Sequence, residues 1–238
     1  MFSFFKPKAP PLLQTDMHLH LLPSLDDGSR SLEESMQMLE ALERLGYRRL
    51  ILTPHHSPIC YGYEREVIIE HFEAFSHYLK HKKVKMALKL GAEYYMDEYF
   101  LKHLEQAPLL GVNGYILIET SRWMKPLFFN EVIFKLQAQG YRPILAHPER
   151  YRYLREPKQF ESLKQMGILL QIDLLSFEGY YGKEAQKKAH CLAKRGWIDF
   201  LGSDLHRPHQ LPLLEKIPSR RYYRKIFELN RILNEELF

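Results

Sequence analysis

Apolar and polar positions alternate along this chain in two rhythms. Short apolar runs near 12–20, 48–53, 85–92, 114–119, 142–147, 168–174 and 198–203 have the length and composition of buried strands. Between them, apolar residues recur three and four apart over 31–46, 64–82, 97–106, 127–140, 156–166, 183–195 and 221–236, the spacing of one helical face. The helix at 31–46 is the clearest. Ser31 is placed to cap it, Glu34 completes a capping box, Met36, Leu39, Leu42 and Leu45 form its apolar stripe, and Gly46 ends it. Gly140, Gly167 and Gly196 stop three later helices just ahead of the next strand. Strict alternation of strand and helix predicts a parallel sheet. Seven such units predict an α/β chain whose sheet closes, or nearly closes, into a distorted (β/α)7 barrel.

The placement of polar residues supports the barrel. Functional groups in β/α barrels stand at the C-terminal ends of strands. Candidate ligands fall there in six of the seven strands: His18 and His20, His55, Glu93, Glu119, His147, Asp204 and His206. In the segment Asp16-Met17-His18-Leu19-His20, residues two apart share a face, so Asp16, His18 and His20 are expected on one side and Met17, Leu19 and Leu21 on the other. An aspartate in that position often orients an imidazole. Asp26 and Asp27 precede Gly28, where a simple turn competes with a ligand role for Asp27. The remaining helical histidines, His71, His77, His81, His103 and His190, are expected to be solvated or structural.

His18, His20, Asp27, His55, Glu93, Glu119, His147, Asp204 and His206 are more donors than one ion takes, and suit two or three divalent ions with a carboxylate bridging. Mixed imidazole and carboxylate donors without thiolate fit zinc, manganese or iron. Clustered ions lower the pKa of a shared water and neutralise phosphate oxygens, so the expected nucleophile is a metal-bridging hydroxide and not a side chain. Arg150 follows His147 by three residues and Arg207 follows His206 directly; both are expected to bind substrate phosphate and stabilise transition-state charge, with a surface ion pair as the competing role. His56 and His209 are candidates for the acid that protonates the leaving group.

Composition narrows the field. The chain has 238 residues, 45% hydrophobic and 26% charged, with a formal net charge of +5. The positive charge is spread, so no nucleic-acid partner is expected; its densest patch, Arg220, Arg221, Arg224 and Lys225, fits a solvated helix face. Two cysteines form no framework, which suggests a reducing, cytoplasmic setting. A cysteine phosphatase loop needs five residues between Cys and Arg; Cys60 and Arg65 have four between them, Cys191 and Arg195 three. The aromatic, basic N-terminus is broken by Pro7, Pro10 and Pro11 and lacks a signal-peptide core, and no later stretch approaches a membrane span. The expected organisation is an N-terminal arm over 1–13 and a single catalytic barrel over 14–238.

With those residues in view, DMHLHLLPSLDDGSRSLEESMQMLEALERLGYRRLILTPHH resembles the start of the bacterial tyrosine phosphatases of the PHP (polymerase and histidinol phosphatase) superfamily, the CpsB/CapC/YwqE group linked to capsule and exopolysaccharide synthesis. GAEYYMD, YILIE, PILAHPERY and GSDLH continue the match in order, over roughly residues 14–206. The resemblance implies a three-metal site. His18, His20, Glu93 and Asp204 would hold the first ion, Asp27, His55 and His206 the second, and Glu93, Glu119 and His147 the third. Arg150 corresponds to the family's phosphate-binding arginine, whereas Arg207 stands closer to the ligand than the second such arginine usually does. The implied substrate is phosphotyrosine on a protein, typically the tyrosine-rich tail of the kinase that drives polysaccharide export, and related enzymes often form homo-oligomers. Two alternatives compete: another PHP phosphoesterase, such as a histidinol-phosphate phosphatase, and a non-catalytic barrel that docks a kinase. Asp27 in place of a third histidine favours the tyrosine phosphatase branch, and the complete ligand set disfavours the idle barrel.

Overall fold

The computed structural model describes residues 13–106 and 108–238. The expected N-terminal arm lies outside the described residues except for Leu13, which is buried in the core. Among the described residues the strands are β1 (Thr15–Leu19), β2 (Arg49–Leu52), β3 (His55–His56), β4 (Ala87–Leu90), β5 (Glu93–Tyr95), β6 (Tyr115–Glu119), β7 (Arg142–Leu145), β8 (Leu169–Asp173) and β9 (Phe200–Gly202). All pair in parallel, as β1-β2-β4 and β3-β5-β6-β7-β8-β9. Pro54, which has no N–H for a ladder, separates β2 from β3, and Gly91–Ala92 separates β4 from β5. The expected strands at 48–53 and 85–92 are thus the first stretches of two longer paths. Counted by path, the order runs in sequence around seven positions. Asp204 N donates to His18 O (2.9 Å) and His20 N donates to Leu205 O (3.0 Å), joining the last position to the first and closing the barrel.

Two apolar clusters follow from this closure. Met17, Ile51, Leu117, Ile144 and Phe200 come from strands all around the ring and pack together, which they can do only inside it. Leu50, Leu52, Ile118, Leu145, Leu170 and Leu201 belong to the larger cluster, shared with helix residues such as Met38, Leu42, Phe75, Val132 and Leu192. Simple alternation puts Met17 on one face with Leu19 and Leu21, but it packs in the other cluster. The register of β1 against β2 shifts between Asp16 and Leu19, and this bulge breaks the two-residue rhythm.

The helices Leu32–Arg44, Arg65–His81, Glu98–His103, Phe129–Ala138, Pro157–Gln165, Lys183–Arg195 and Arg221–Leu229 match the seven expected from periodicity. In the first, Ser31 accepts from Glu34 N as expected, but the Glu34 carboxylate accepts from Arg30 N and not from the cap residue. Its buried stripe is Ser35, Met38, Leu39, Ala41 and Leu42, with Met36 and Leu45 at the flanks. The last helix is shorter than the expected 221–236. Asn230 turns extended because its side chain is committed elsewhere: Nδ2 donates to Ala193 O and Ile226 O, and Oδ1 accepts from Ile198 N.

Asn234 is the equivalent tie beneath the barrel. Its Nδ2 donates to Thr15 O of β1 (2.9 Å) and Leu201 O of β9 (2.7 Å), and its Oδ1 accepts from Leu201 N (3.0 Å). The side chain is wholly buried. Asn234→Ala should cost about 3 kcal/mol, because three bonds are lost and their backbone partners stay dry. Urea denaturation checks this; an unchanged midpoint would show that the seam holds without it.

Candidate metal centre

Strand ends bring the sequence-predicted donors to one place. His18 lies on β1 with His20 just beyond it, His55 on β3, Glu93 on β5, Glu119 at the end of β6, His147 just past β7, and Asp204 and His206 past β9. Three groups of donor atoms each fall within 4.8 Å of one another: His18, His20, Glu93 and Asp204; His20, Asp27, His55 and His206; and His55, Glu93 and Glu119. His147 joins the last group through Nε2, 2.9 Å from Glu93 Oε1 and 3.8 Å from Glu119 Oε2.

Ring orientation is set from outside the cluster. His18 Nδ1 lies 2.9 Å from Gln171 Oε1, His20 Nδ1 2.7 Å from Asp26 Oδ2, and His206 Nδ1 2.9 Å from the Asp204 carbonyl. Each partner atom is an acceptor, so Nδ1 carries a proton in all three rings and Nε2 is the nitrogen each can offer inward to an ion. His18 Nε2 and His20 Nε2 are then 3.3 Å apart. They also face Glu93 Oε2 at 3.1 and 3.4 Å and Asp204 Oδ1 at 3.4 and 3.6 Å. Both carboxylate oxygens are buried without a hydrogen-bond partner among the described residues. Four electron-rich atoms, withdrawn from water and aimed at one point, require positive charge between them. A divalent ion fits that requirement, and the donor types suit one.

The electrostatics agree. Burial alone would push the His18 imidazole down, but the facing carboxylates of Glu93 and Asp204 overcome it and hold it at about 10. His20 is likewise held at about 9, burial being outweighed chiefly by Asp26. Glu93 is held well below the usual carboxylate range, since the surrounding imidazoles of His18 and His55 outweigh burial. In the protein alone, protons supply the missing positive charge.

Backbone geometry makes room for this crowding. A Cβ on Gly28 would lie 2.4 Å from His20 Cβ, and one on Gly202 would lie 2.7 Å from His18 Cβ. Only glycine lets the 26–28 loop and the end of β9 approach the two imidazoles so closely. His147 (φ +33°) and Asp204 (φ +49°) are themselves in the left-handed region. Strained backbone at two inward-facing polar residues is typical of functional sites.

Residues 14–228 match the family model for capsular polysaccharide synthesis proteins of the CpsB/CapC type. This chain belongs to the CpsB/CapC family. It is 32% identical to tyrosine-protein phosphatase YwqE of Bacillus subtilis (strain 168) over 194 residues, 80% of this chain and 76% of that protein. It is 28% identical to tyrosine-protein phosphatase CpsB of Streptococcus pneumoniae over 219 residues, 87% of this chain and 90% of that one. The fold superposes with a TM-score of 0.78 and 29% identity on a chain from the crystal structures of YwqE from Bacillus subtilis and CpsB from Streptococcus pneumoniae, described as metal-dependent tyrosine phosphatases. That superposition covers 94% of this chain and 93% of the other.

The two arginines of this CpsB/CapC chain differ in surroundings. Arg150 is buried, its Nη1 2.6 Å from Asp204 Oδ2 and 3.1 Å from Asp173 Oδ2, with its guanidinium 4.1 Å from the centre of the Tyr181 ring. Its Nε has no partner among the described residues. Arg207 instead takes Glu34 as partner at 3.3 Å, the same carboxylate that accepts from Arg30 N.

Several contributors escaped the sequence analysis. Gln171 and Asp173, two apart on β8, face the centre from the one strand for which the sequence predicts no ligand. Their alternation with Leu170 and Ile172 in a buried strand was the available signal. Tyr181 donates to Asp204 Oδ2 at 2.9 Å. Asp26 orients His20, the task expected of Asp16. Asp16 Oδ1 accepts from the backbone N–H groups of His18 and Ser203 and so pins the β1–β9 seam. Among the candidate acids, His209 is exposed and bonded to Tyr180, and His56 is buried against Tyr94.

Proposed function

We propose that this chain is a metal-dependent phosphatase that hydrolyses phosphotyrosine on proteins, working as one catalytic barrel over residues 14–238. The observation that carries the reading is the convergence of His18 Nε2, His20 Nε2 and His55 Nδ1 on Glu93 Oε2 at 3.1, 3.4 and 3.3 Å, in a chain whose relatives are named tyrosine phosphatases. His18, His20, Glu93 and Asp204 would hold one ion. Asp27, His55 and His206 would hold a second beside His20. Glu93, Glu119 and His147 would hold a third, with Glu93 shared. Two or three manganese, iron or zinc ions suit these donors. When bound, such ions lower the pKa of water and neutralise phosphate oxygens.

The chain's own residues do the rest. Gln171, Asp26 and the Asp204 carbonyl fix three imidazoles, so no ring has to turn before ligation. Arg150 offers a preorganised fork to the phosphate, and Arg207 is a second candidate for this task once released from Glu34. Water forms the new bond to phosphorus as the bond to the tyrosyl oxygen breaks; that oxygen leaves with the electron pair and takes up the proton that water releases. The natural substrate is read as a tyrosine kinase of capsule or exopolysaccharide synthesis, met in the cytoplasm, with the phosphatase acting as a homo-oligomer. Among the described residues no helix is long and apolar enough to cross a membrane.

The test compares phosphotyrosyl peptide with histidinol phosphate in the presence of manganese. Peptide should be preferred by at least about tenfold in kcat/KM, and the rate should survive iodoacetamide because Cys60 and Cys191 lie outside the donor cluster. Preference for histidinol phosphate, or inactivation mapped to either cysteine, would contradict the reading.

A further inference from the structure

Beside the metal centre lies a cavity of about 790 Å³, between the segment that begins at Glu149 and the helix Lys183–Arg195. Six basic side chains line it, Arg150, Arg152, Arg155, Lys183, Lys187 and Lys188, against two acids, Glu149 and Glu184. Lys187 pairs with Glu184 at 3.1 Å. Arg152, Arg155, Lys183 and Lys188 have no carboxylate partner among the described residues. Half-buried Lys188 donates to Tyr151 O at 2.6 Å, and burial, only partly offset by Glu149 and Glu184, pulls its ammonium below its usual pKa. The mild net charge of the whole chain does not account for so local an excess.

The cavity borders the site. Arg150 and Tyr181 line it while both bond Asp204 Oδ2, so one guanidinium separates it from the donor cluster. Phe160, Leu192 and Trp197 add apolar wall, suited to the methylene stems of long side chains. On its rim, the Arg152 guanidinium sits 4.0 Å from the ring centre of exposed Trp123. We propose that this cavity binds a carboxylate-rich stretch of the substrate polypeptide, so that the enzyme selects phosphotyrosines with acidic neighbours. The proposal rests on the phosphotyrosine reading above and names the sequence class of its substrate.

One measurement of binding and one of turnover test this. A fluorescein-labelled peptide with an unphosphorylated tyrosine among four glutamates should bind the wild-type protein at low salt, and glutamine in place of glutamate should weaken binding about tenfold. Arg155→Ala/Lys183→Ala, which changes two exposed side chains, should weaken the glutamate peptide about fivefold or more. With phosphotyrosyl peptides, the glutamate version should be favoured about tenfold in kcat/KM, mostly through KM. The double variant should lose that preference while p-nitrophenyl phosphate turnover stays unchanged. Equal handling of glutamate and glutamine peptides, or tighter binding of a single-stranded oligonucleotide of equal charge, overturns the proposal. Loss of all phosphotyrosyl turnover with charge-dependent binding intact would instead strike the phosphatase reading and still support an acidic ligand for the cavity.

Discussion

Asp204→Asn should lower phosphotyrosine hydrolysis at least about 1,000-fold, roughly 4 kcal/mol of transition-state stabilisation. Asparagine is the informative replacement because Asp204 has φ +49°, a conformation asparagine tolerates and alanine does not. Shape and backbone are kept while the charge is lost. The carboxylate faces His18 Nε2 and His20 Nε2 through Oδ1 and takes Arg150 and Tyr181 through Oδ2. One residue therefore links the donor cluster to Arg150. His18→Ala should have a similar effect, since its Nδ1 is already spent on Gln171 and Nε2 is the only nitrogen it can offer. Bound metal per chain, measured beside kcat, should fall in both variants while circular dichroism stays native. Near wild-type turnover in either would count heavily against the assignment.

Arg150→Ala should cost both stability and rate. The guanidinium is buried between Asp173 and Asp204 and stacked on Tyr181. Removing it leaves buried acids without their cation, a loss of about 3–5 kcal/mol by analogy with broken buried ion pairs. The second effect is a fall in kcat/KM of about 100-fold or more, the size expected when one preorganised donor to a developing charge is deleted. Arg150→Lys separates the two, because an ammonium restores charge without the planar fork. It should recover much of the unfolding free energy and little of the rate. Full recovery of both would show that Arg150 acts as a structural counter-charge alone.

The fold was readable because each level of the sequence pointed the same way. Seven apolar runs, seven helical periods and polar residues at strand ends all required a parallel barrel with one functional mouth. The donors were readable for the same reason: His18, His55, Glu93, Glu119, His147 and Asp204 each interrupt or follow an apolar run. What stayed hidden depends on contacts distant in sequence. Gln171 meets His18 across 153 positions, and nothing local marks it as the residue that sets a tautomer. The exchange of roles between Asp16 and Asp26 has a similar cause. The register shift in β1 carries Asp16 to the seam, while the close approach allowed by Gly28 brings Asp26 under His20. The early end of the last helix follows from side-chain bonds of Asn230 to a helix and a strand entrance elsewhere in the chain, which no periodicity reports.

The central claim is that positive charge between buried imidazoles and carboxylates is supplied by metal ions placed to act on a phosphate ester. An anomalous-scattering crystal structure of the protein grown with manganese and phosphate tests it most directly. Peaks should appear between His18 Nε2, His20 Nε2, Glu93 and Asp204, and between Asp27, His55 and His206, with the phosphate held against them by Arg150. A structure in which those positions carry no anomalous signal and the phosphate binds elsewhere would contradict the account.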